Sequence, residues 1–283
     1  MKVKKIISSY GNAGAHEGVF KGSKYLLNNY NLNNHLVIEP IIISKETIDN
    51  LKNLNEVVLN IKEVAKAVDK NILSNEFPLF IGGDHSLSLG SVSAVSKYYD
   101  NLGVIWFDAH GDMNTNKTSP SGNIHGMILA ALQGVGDERL TNLYYEGIKI
   151  KTENVLIFGA RDLDIEEEKL IKELGVKVIT FKEIKEMGFN KALKEVKEFY
   201  LNKTNNLHLS FDLDVLDPNE IPGVSVPVTD GFTKEEANLI IKELFSNFNI
   251  NSMDIVEYNP EFDYNNTTLE YLKEVINLIE KLV

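Results

Sequence analysis

The 283-residue sequence contains no cysteine. That absence excludes zinc–thiolate centres, iron–sulfur clusters and thiol nucleophiles, and it fits a reducing compartment without requiring one. No apolar run approaches the length of a membrane span. The opening, MKVKKIISSYGNAG, is basic but has no apolar core long enough for a signal peptide. Basic residues are in short supply, with 29 Lys and Arg against 41 Asp and Glu and a formal charge of −12. Such a chain is repelled by nucleic acid and by anionic membranes, so neither is expected as a partner. No internal repeat, low-complexity tract or Pro/Ser-rich linker divides it. The expectation is a cytoplasmic protein folded as one domain over 1–283, with a core that needs no covalent or metal staple.

What is present is an alternation of short β-rich runs with longer helical patterns. Strands are expected at 3–10, 36–44, 78–81, 104–107, 154–158, 176–180, 207–212 and 252–258. Helices are expected at 21–29, across most of 45–73, from 86 to 99, and at 123–133, 165–174, 182–200, 233–246 and 267–283. This order predicts the α/β class, with a mainly parallel central sheet covered by helices on both faces. In such folds ligands sit beyond the carboxyl ends of the strands, so polar residues that end strands merit the closest reading.

Four strand ends carry unusual polar density. The stretch VIWFDAHGD (104–112) runs from an apolar strand into Asp108, His110 and Asp112, spaced i, i+2 and i+4. In extended backbone these three side chains project to one side. His85 follows Gly82-Gly83-Asp84, Asp212 and Asp214 end the SFDLD strand, and Glu257 ends DIVEYNP. A parallel sheet brings these ends into one crevice. Four aspartates converging there without compensation would repel one another and lose their hydration. Divalent cations remove that problem, and four Asp with two His suit two ions better than one. An oxygen-rich set with only two imidazoles favours manganese-type ions over zinc. Two adjacent ions sharing a water lower its pKa toward neutrality.

Taken in order, GGDHS, DAHGD, SGNIHG (121–126), SFDLD and EYNP resemble the ureohydrolase family, and its arginase branch in particular. The resemblance runs from the first strand to the last helix. It implies a three-layer α/β/α fold, two Mn2+ ions per subunit and hydrolysis of a guanidino group. Carried over motif by motif, it implies one ion on His85, Asp108, Asp112 and Asp212. The second ion would lie on Asp108, His110, Asp212 and Asp214, with Asp108 and Asp212 bridging. Glu257 would pair with the guanidinium, a geometry that suits a carboxylate. Asp112 would relay a proton to the departing nitrogen, and His125 would shuttle protons to solvent. His208 lies deeper in its strand and reads as a satisfied core histidine.

The arginase branch also implies a reader for the amino-acid end of the substrate. Asn114, Ser121 and Asn123 match the positions that receive the α-carboxylate; Asp164 and Glu167 match those that receive the α-ammonium. The same two acids suit a helix N-terminus. Val226 departs from the pattern, standing where arginases place a threonine, and PGVS followed by an apolar residue resembles the formiminoglutamase branch. Val215 replaces a usual glycine. The leading expectation is therefore hydrolysis of L-arginine to L-ornithine and urea. Agmatinase, formiminoglutamase or another guanidino or formimino hydrolase is the runner-up. A one-zinc deacetylase of related fold and a non-catalytic metal-dependent module are the more distant alternatives. The family also implies a homo-oligomer, a trimer or hexamer.

Overall fold

The computed structural model describes every residue except Ser44. In chain order the elements are β1 (Lys2–Ser8), α1 (Gly22–Asn29), β2 (His35–Ile38), β3 (Thr47–Ile48), β4 (Leu51–Lys52), α2 (Leu54–Leu73) and β5 (Glu76–Gly82). There follow α3 (Ser88–Ser96), β6 (Gly103–Phe107), α4 (Ile128–Leu132), α5 (Glu138–Thr141), β7 (Val155–Phe158), α6 (Ile165–Leu174) and β8 (Lys177–Ile179). The chain closes with α7 (Phe181–Met187), α8 (Phe189–Tyr200), β9 (Asn206–Asp212), α9 (Lys234–Asn247), β10 (Asn249–Val256) and α10 (Thr267–Leu282).

Eight strands form one sheet in the order β2-β1-β5-β10-β9-β6-β7-β8, and every pairing in it is parallel. The central strands are buried on both faces, which explains their near-continuous apolar runs. Alternate residues feed two separate cores. Ile105, Phe107, Leu209 and Phe211 face α7–α10. Val104 and Trp106 face the layer built from α2, α3 and α4. The expected three layers are observed. No helix among the described residues is long and apolar enough to cross a membrane.

Local chemistry sets the helix boundaries. Asp164, Thr180 and Thr233 each cap a helix in a reciprocal box with a glutamate three residues on, namely Glu167, Glu183 and Glu236. Gly175, at φ 72°, ends α6 in the left-handed conformation that favours glycine.

Two expectations fail. The strand expected at 36–44 pairs with β1 only through Ile38. Pro40 brings no N–H to a ladder, and the next amides turn to α2 side chains: Ile41 N–H to Asn60 Oδ1 (2.9 Å) and Ile43 N–H to Glu56 Oε2 (2.7 Å). The last residue of that expected strand, Ser44, lies outside the described residues. The helix expected from 45 begins only at Leu54, because 47–52 form the β3–β4 hairpin. Its two turn residues, Asp49 (φ 51°) and Asn50 (φ 62°), take the positive φ values of a tight hairpin turn. Ile48, Leu51 and Leu54 share helical spacing, and that pattern hid the turn.

Phe232 sits under the carboxyl ends of the central strands. Its ring meets Phe181 (4.9 Å between centroids), Phe107 (5.1 Å) and Phe158 (6.2 Å). Its backbone bonds Val215 and Asp217, which follow directly on Asp214. Phe232→Ala should cost about 3–5 kcal/mol of stability. Urea unfolding checks it, and a loss below about 1 kcal/mol would show that the ring is not part of this platform.

Candidate metal centre and active site

The site begins where β5 ends. Gly83 packs so closely on Tyr10 that a Cβ there would lie 1.6 Å from the Tyr10 carbonyl oxygen. Only glycine permits that approach. Asp84 then caps the short turn His85–Leu87 by accepting the Ser86 N–H (3.0 Å). His85 lies flat on Trp106, with centroids 4.1 Å apart and planes within 4°. Its Nε2 lies 2.8 Å from Ser210 Oγ, a second-sphere contact that fixes the ring. Its Nδ1 therefore points into the crevice, 3.0 Å from Asp108 Oδ2, 3.1 Å from Asp112 Oδ2 and 3.1 Å from Asp212 Oδ2.

A second cluster adjoins the first. His110 Nδ1 lies 3.1 Å from Asp214 Oδ2 and 3.4 Å from Asp108 Oδ1. Asp108 thus presents one oxygen to each histidine. Strand alternation is not what brings Asp108, His110 and Asp112 together. β6 ends at Phe107, and the ligand-type residues project from the turn beyond it. Asp112 (φ 49°) and Glu257 (φ 67°) both hold left-handed backbone, which is rare outside glycine and concentrates at functional positions.

The electrostatics are those of a cation site. Burial and the neighbouring carboxylates push Asp212 well above the usual range and Asp214 up to about 6; burial and Asp108 push Asp112 up as well. Burial also disfavours charge on His85 and His110, yet the carboxylates around them raise both well above an ordinary histidine. His85 Nδ1, Asp108 Oδ2 and Asp112 Oδ2 are buried without a hydrogen-bond partner. Uncompensated buried acceptors are costly. Two divalent cations would satisfy them, and two compact groups, His85–Asp108–Asp212 and Asp108–His110–Asp214, fit a binuclear centre. His208 stands apart, buried and bonded to Ser252 and Asp254, as expected of a core residue.

Above these clusters opens a cavity of about 330 Å³. Its wall includes Glu257, His125, Asn114, Ser121, Asn123, Asp164, Glu167 and Val226. Glu257 Oε1 accepts the His85 N–H (2.9 Å) and lies 3.1 Å from His125 Nδ1, while its Oε2 is buried and unpartnered. Burial opposes charge on both, but their hydrogen bond wins: His125 is pushed up to about 9 and Glu257 is lowered. Asn114 Nδ2 donates to Asp164 Oδ2 (2.7 Å). Glu167 accepts the N–H groups of Met113 (3.0 Å) and Asp164 (3.1 Å), and burial pushes it up to about 7. Asp164 and Glu167 are thus cavity wall and helix cap at once. Ser121 Oγ accepts the Asn123 N–H (3.1 Å).

Three contributors carry no role in the reading of the sequence. Ser210 shares strand parity with Asp212, and that parity points to it. Arg161 donates to the carbonyls of Asp214 (2.8 Å), Val215 (3.1 Å) and Val228 (3.0 Å), lashing together the loops around the second cluster. Lys52 reaches the cavity wall from the β3–β4 hairpin, donating to Asn123 Oδ1 (3.0 Å). Neither of the last two has a local signal.

Comparison with known proteins agrees with this geometry. Residues 15–279 match the model of the arginase family. An arginase of Bacillus subtilis (strain 168) is 48% identical over 246 residues, covering 86% of this chain and 82% of that protein. The solved arginase of Bacillus caldovelox superposes with a TM-score of 0.89 at 36% identity, over 100% of this chain and 98% of the other. A formimidoylglutamase from Bacillus subtilis shares the fold, with a TM-score of 0.79 at 20% identity over 100% of this chain and 88% of that one. The chain belongs to the arginase family and is a ureohydrolase enzyme.

Asp108 faces both histidines, so Asp108→Asn should remove more than one equivalent of bound divalent metal, read by plasma spectrometry of dialysed protein. Loss of one equivalent or less would restrict Asp108 to one ion. Cation binding must also displace protons from His85 and His110, whose pKa values are raised. Metal affinity should therefore rise with pH through neutrality and level off only once both rings are neutral. Calorimetric titration in buffers of differing ionisation enthalpy measures the protons released, and a pH-independent affinity would contradict this charge distribution.

Proposed function

We propose that this enzyme hydrolyses L-arginine to L-ornithine and urea, with two manganese ions held by His85, Asp108, His110, Asp112, Asp212 and Asp214. The observation that carries the reading is Glu257: a buried carboxylate, kept ionised by His125, with one oxygen free beside two cation clusters. The oxygen-rich donor set with two imidazoles supports manganese over zinc. When bound, two such ions would lower the pKa of water at the site and so supply a hydroxide near neutral pH.

The remaining steps belong to the chain's own groups. Glu257 Oε2 accepts from the guanidinium and turns its plane toward the clusters, a charge-assisted contact. Asp112, in the cavity wall 3.1 Å from His85 Nδ1, takes up a proton and returns it to the departing nitrogen. His125, half-buried in the cavity wall, passes a further proton to solvent when the next water is taken up. Asn114 and Ser121 with Asn123 offer neutral polar groups to the α-carboxylate. Asp164 and Glu167 offer acidic ones to the α-ammonium. Asn114 Oδ1 is buried and unpartnered, which marks this wall as incomplete without a ligand.

One observation favours a second reading. Val226 puts an apolar surface into the cavity, held near Glu257 by the Val224–Tyr258 bridge and the Asn259–Ser225 hydrogen bond (3.0 Å). A formimino substrate asks less of that wall than a full guanidinium does. We further infer a single domain over 1–283 that assembles as a homo-oligomer.

Urea release from L-arginine and agmatine with added manganese tests the substrate. Agmatine lacks the carboxylate and would leave wall groups unpaired, at roughly 1–3 kcal/mol for each. L-arginine should be favoured at least tens-fold in kcat/KM. Comparable efficiency on agmatine would overturn the amino-acid substrate, and preference for a formimino substrate, read by formamide release because that reaction yields no urea, would make Val226 the better guide. His125→Asn should lower kcat with metal content intact, and added imidazole should restore part of the rate. An unchanged rate would confine His125 to holding Glu257.

A further inference from the structure

The hairpin that the sequence pattern hid is welded to the cavity wall. Asn50 Nδ2 donates to the carbonyls of Asn116 (3.0 Å) and Ser119 (2.9 Å), and the Lys52 N–H donates to the Gly122 carbonyl (3.0 Å). Gly122 has φ 71°, and a Cβ there would lie 2.8 Å from Asn50 Oδ1. Hairpin and loop 114–123 are therefore one rigid piece, with Lys52 presented at the rim.

Charge makes that position informative. The cavity wall carries seven carboxylate side chains and no lysine or arginine. Cations in the two clusters offset the carboxylates at its floor, but the outer wall, with Asp162, Asp164 and Glu167, stays acidic. A substrate carboxylate entering this cavity is repelled unless positive charge lies near its end. Asn123 is shared between the cavity and a groove of about 530 Å³ that leads outward past Lys45 and Lys52. Lys45 is paired with Glu17. Lys52 is exposed, and among the described residues its Nζ has no carboxylate within ion-pair distance. Its ammonium donates instead to the neutral Asn123 Oδ1, at 3.0 Å.

We propose that Lys52 is a specificity-determining residue: its ammonium, set behind Asn123, draws the substrate's carboxylate to loop 114–123 and selects amino-acid guanidines over plain guanidinoalkanes. It acts by charge and by orienting the Asn123 amide so that Nδ2 is free to donate. This rests on the amino-acid substrate proposed above and adds a residue outside the motifs that suggested it.

Ligand binding tests it without needing turnover. Calorimetry on the manganese-loaded protein compares L-ornithine with putrescine, which lacks only the carboxylate, for wild type, Lys52→Gln and Lys52→Arg. Lys52→Gln should weaken L-ornithine about 1.5–5-fold, the range for one exposed charge contact, and leave putrescine and metal content unchanged. The loss should shrink in 0.5 M salt, where screening is stronger, and Lys52→Arg should recover most of the affinity. Equal weakening of both ligands would reduce Lys52 to a brace for the hairpin. No weakening of either, or no preference for L-ornithine in wild type, would also overturn the proposal. Failure of wild type to release urea from L-arginine would refute the substrate assignment separately, since the binding comparison stands without catalysis.

Discussion

Like charges forced together at the carboxyl ends of parallel strands are the constraint on which this molecule turns. Asp108, Asp112, Asp212 and Asp214 are all buried, within reach of two histidines, at the seam of β5, β9, β6 and β10. No packing of apolar groups could compensate four desolvated carboxylates, and the charge of two nearby imidazoles goes only part of the way. The arrangement makes physical sense as one half of an ionic structure whose other half is divalent. Two features of the surrounding protein follow from it: the neutral or donor-rich groups that hold the ligands from behind, and the rigid backbone that denies the acids any retreat.

That rigidity is built from contacts with little slack. His85 cannot rotate away, because Trp106 covers its face and Ser210 holds its far nitrogen. Glu257 is anchored by its own N–H to the Gly83 carbonyl (3.0 Å) and by the His85 N–H to its side chain. Asp112 and Glu257 hold backbone conformations that most side chains resist, and a surround this tightly bonded is what sustains them. Arg161 closes the opposite side by tying five loop carbonyls together. Preorganised donors and acceptors of this kind spend little free energy on rearrangement when charge develops in a substrate.

Much of this was legible in the residues themselves. Strand–helix alternation implied the layered parallel sheet, and acids or histidines ending four apolar runs implied a shared cation site. The order of five short motifs resembled one family closely enough to suggest roles for single side chains. What stayed hidden was what neither period nor motif encodes. The β3–β4 hairpin keeps apolar residues at helical spacing while Asp49 and Asn50 turn the chain, so pattern pointed the wrong way. Pro40 and the buried acceptors of α2 cut β2 short, a tertiary effect. Arg161 and Lys52 act through backbone carbonyls and one neutral amide, partners that leave no trace in spacing. The double duty of Asp164 and Glu167 shows a related limit: a helix cap and a ligand wall ask for the same residue types.

The sheet order has a consequence for how the protein comes into being. β10, the last strand made, lies between β5 and β9. Until it emerges from the ribosome, the nascent chain can assemble β2-β1-β5 and β9-β6-β7-β8 only as two separate half-sheets, each with a bare inner edge. His85 belongs to one half and the other five ligand-type residues to the other. Closure of the sheet by β10 is therefore what brings His85 to Asp108, Asp112 and Asp212, whereas Asp108, His110 and Asp214 already share one half. The same gap leaves two sticky edges waiting through most of synthesis, an opening for chaperone engagement or for mispairing between neighbouring nascent chains.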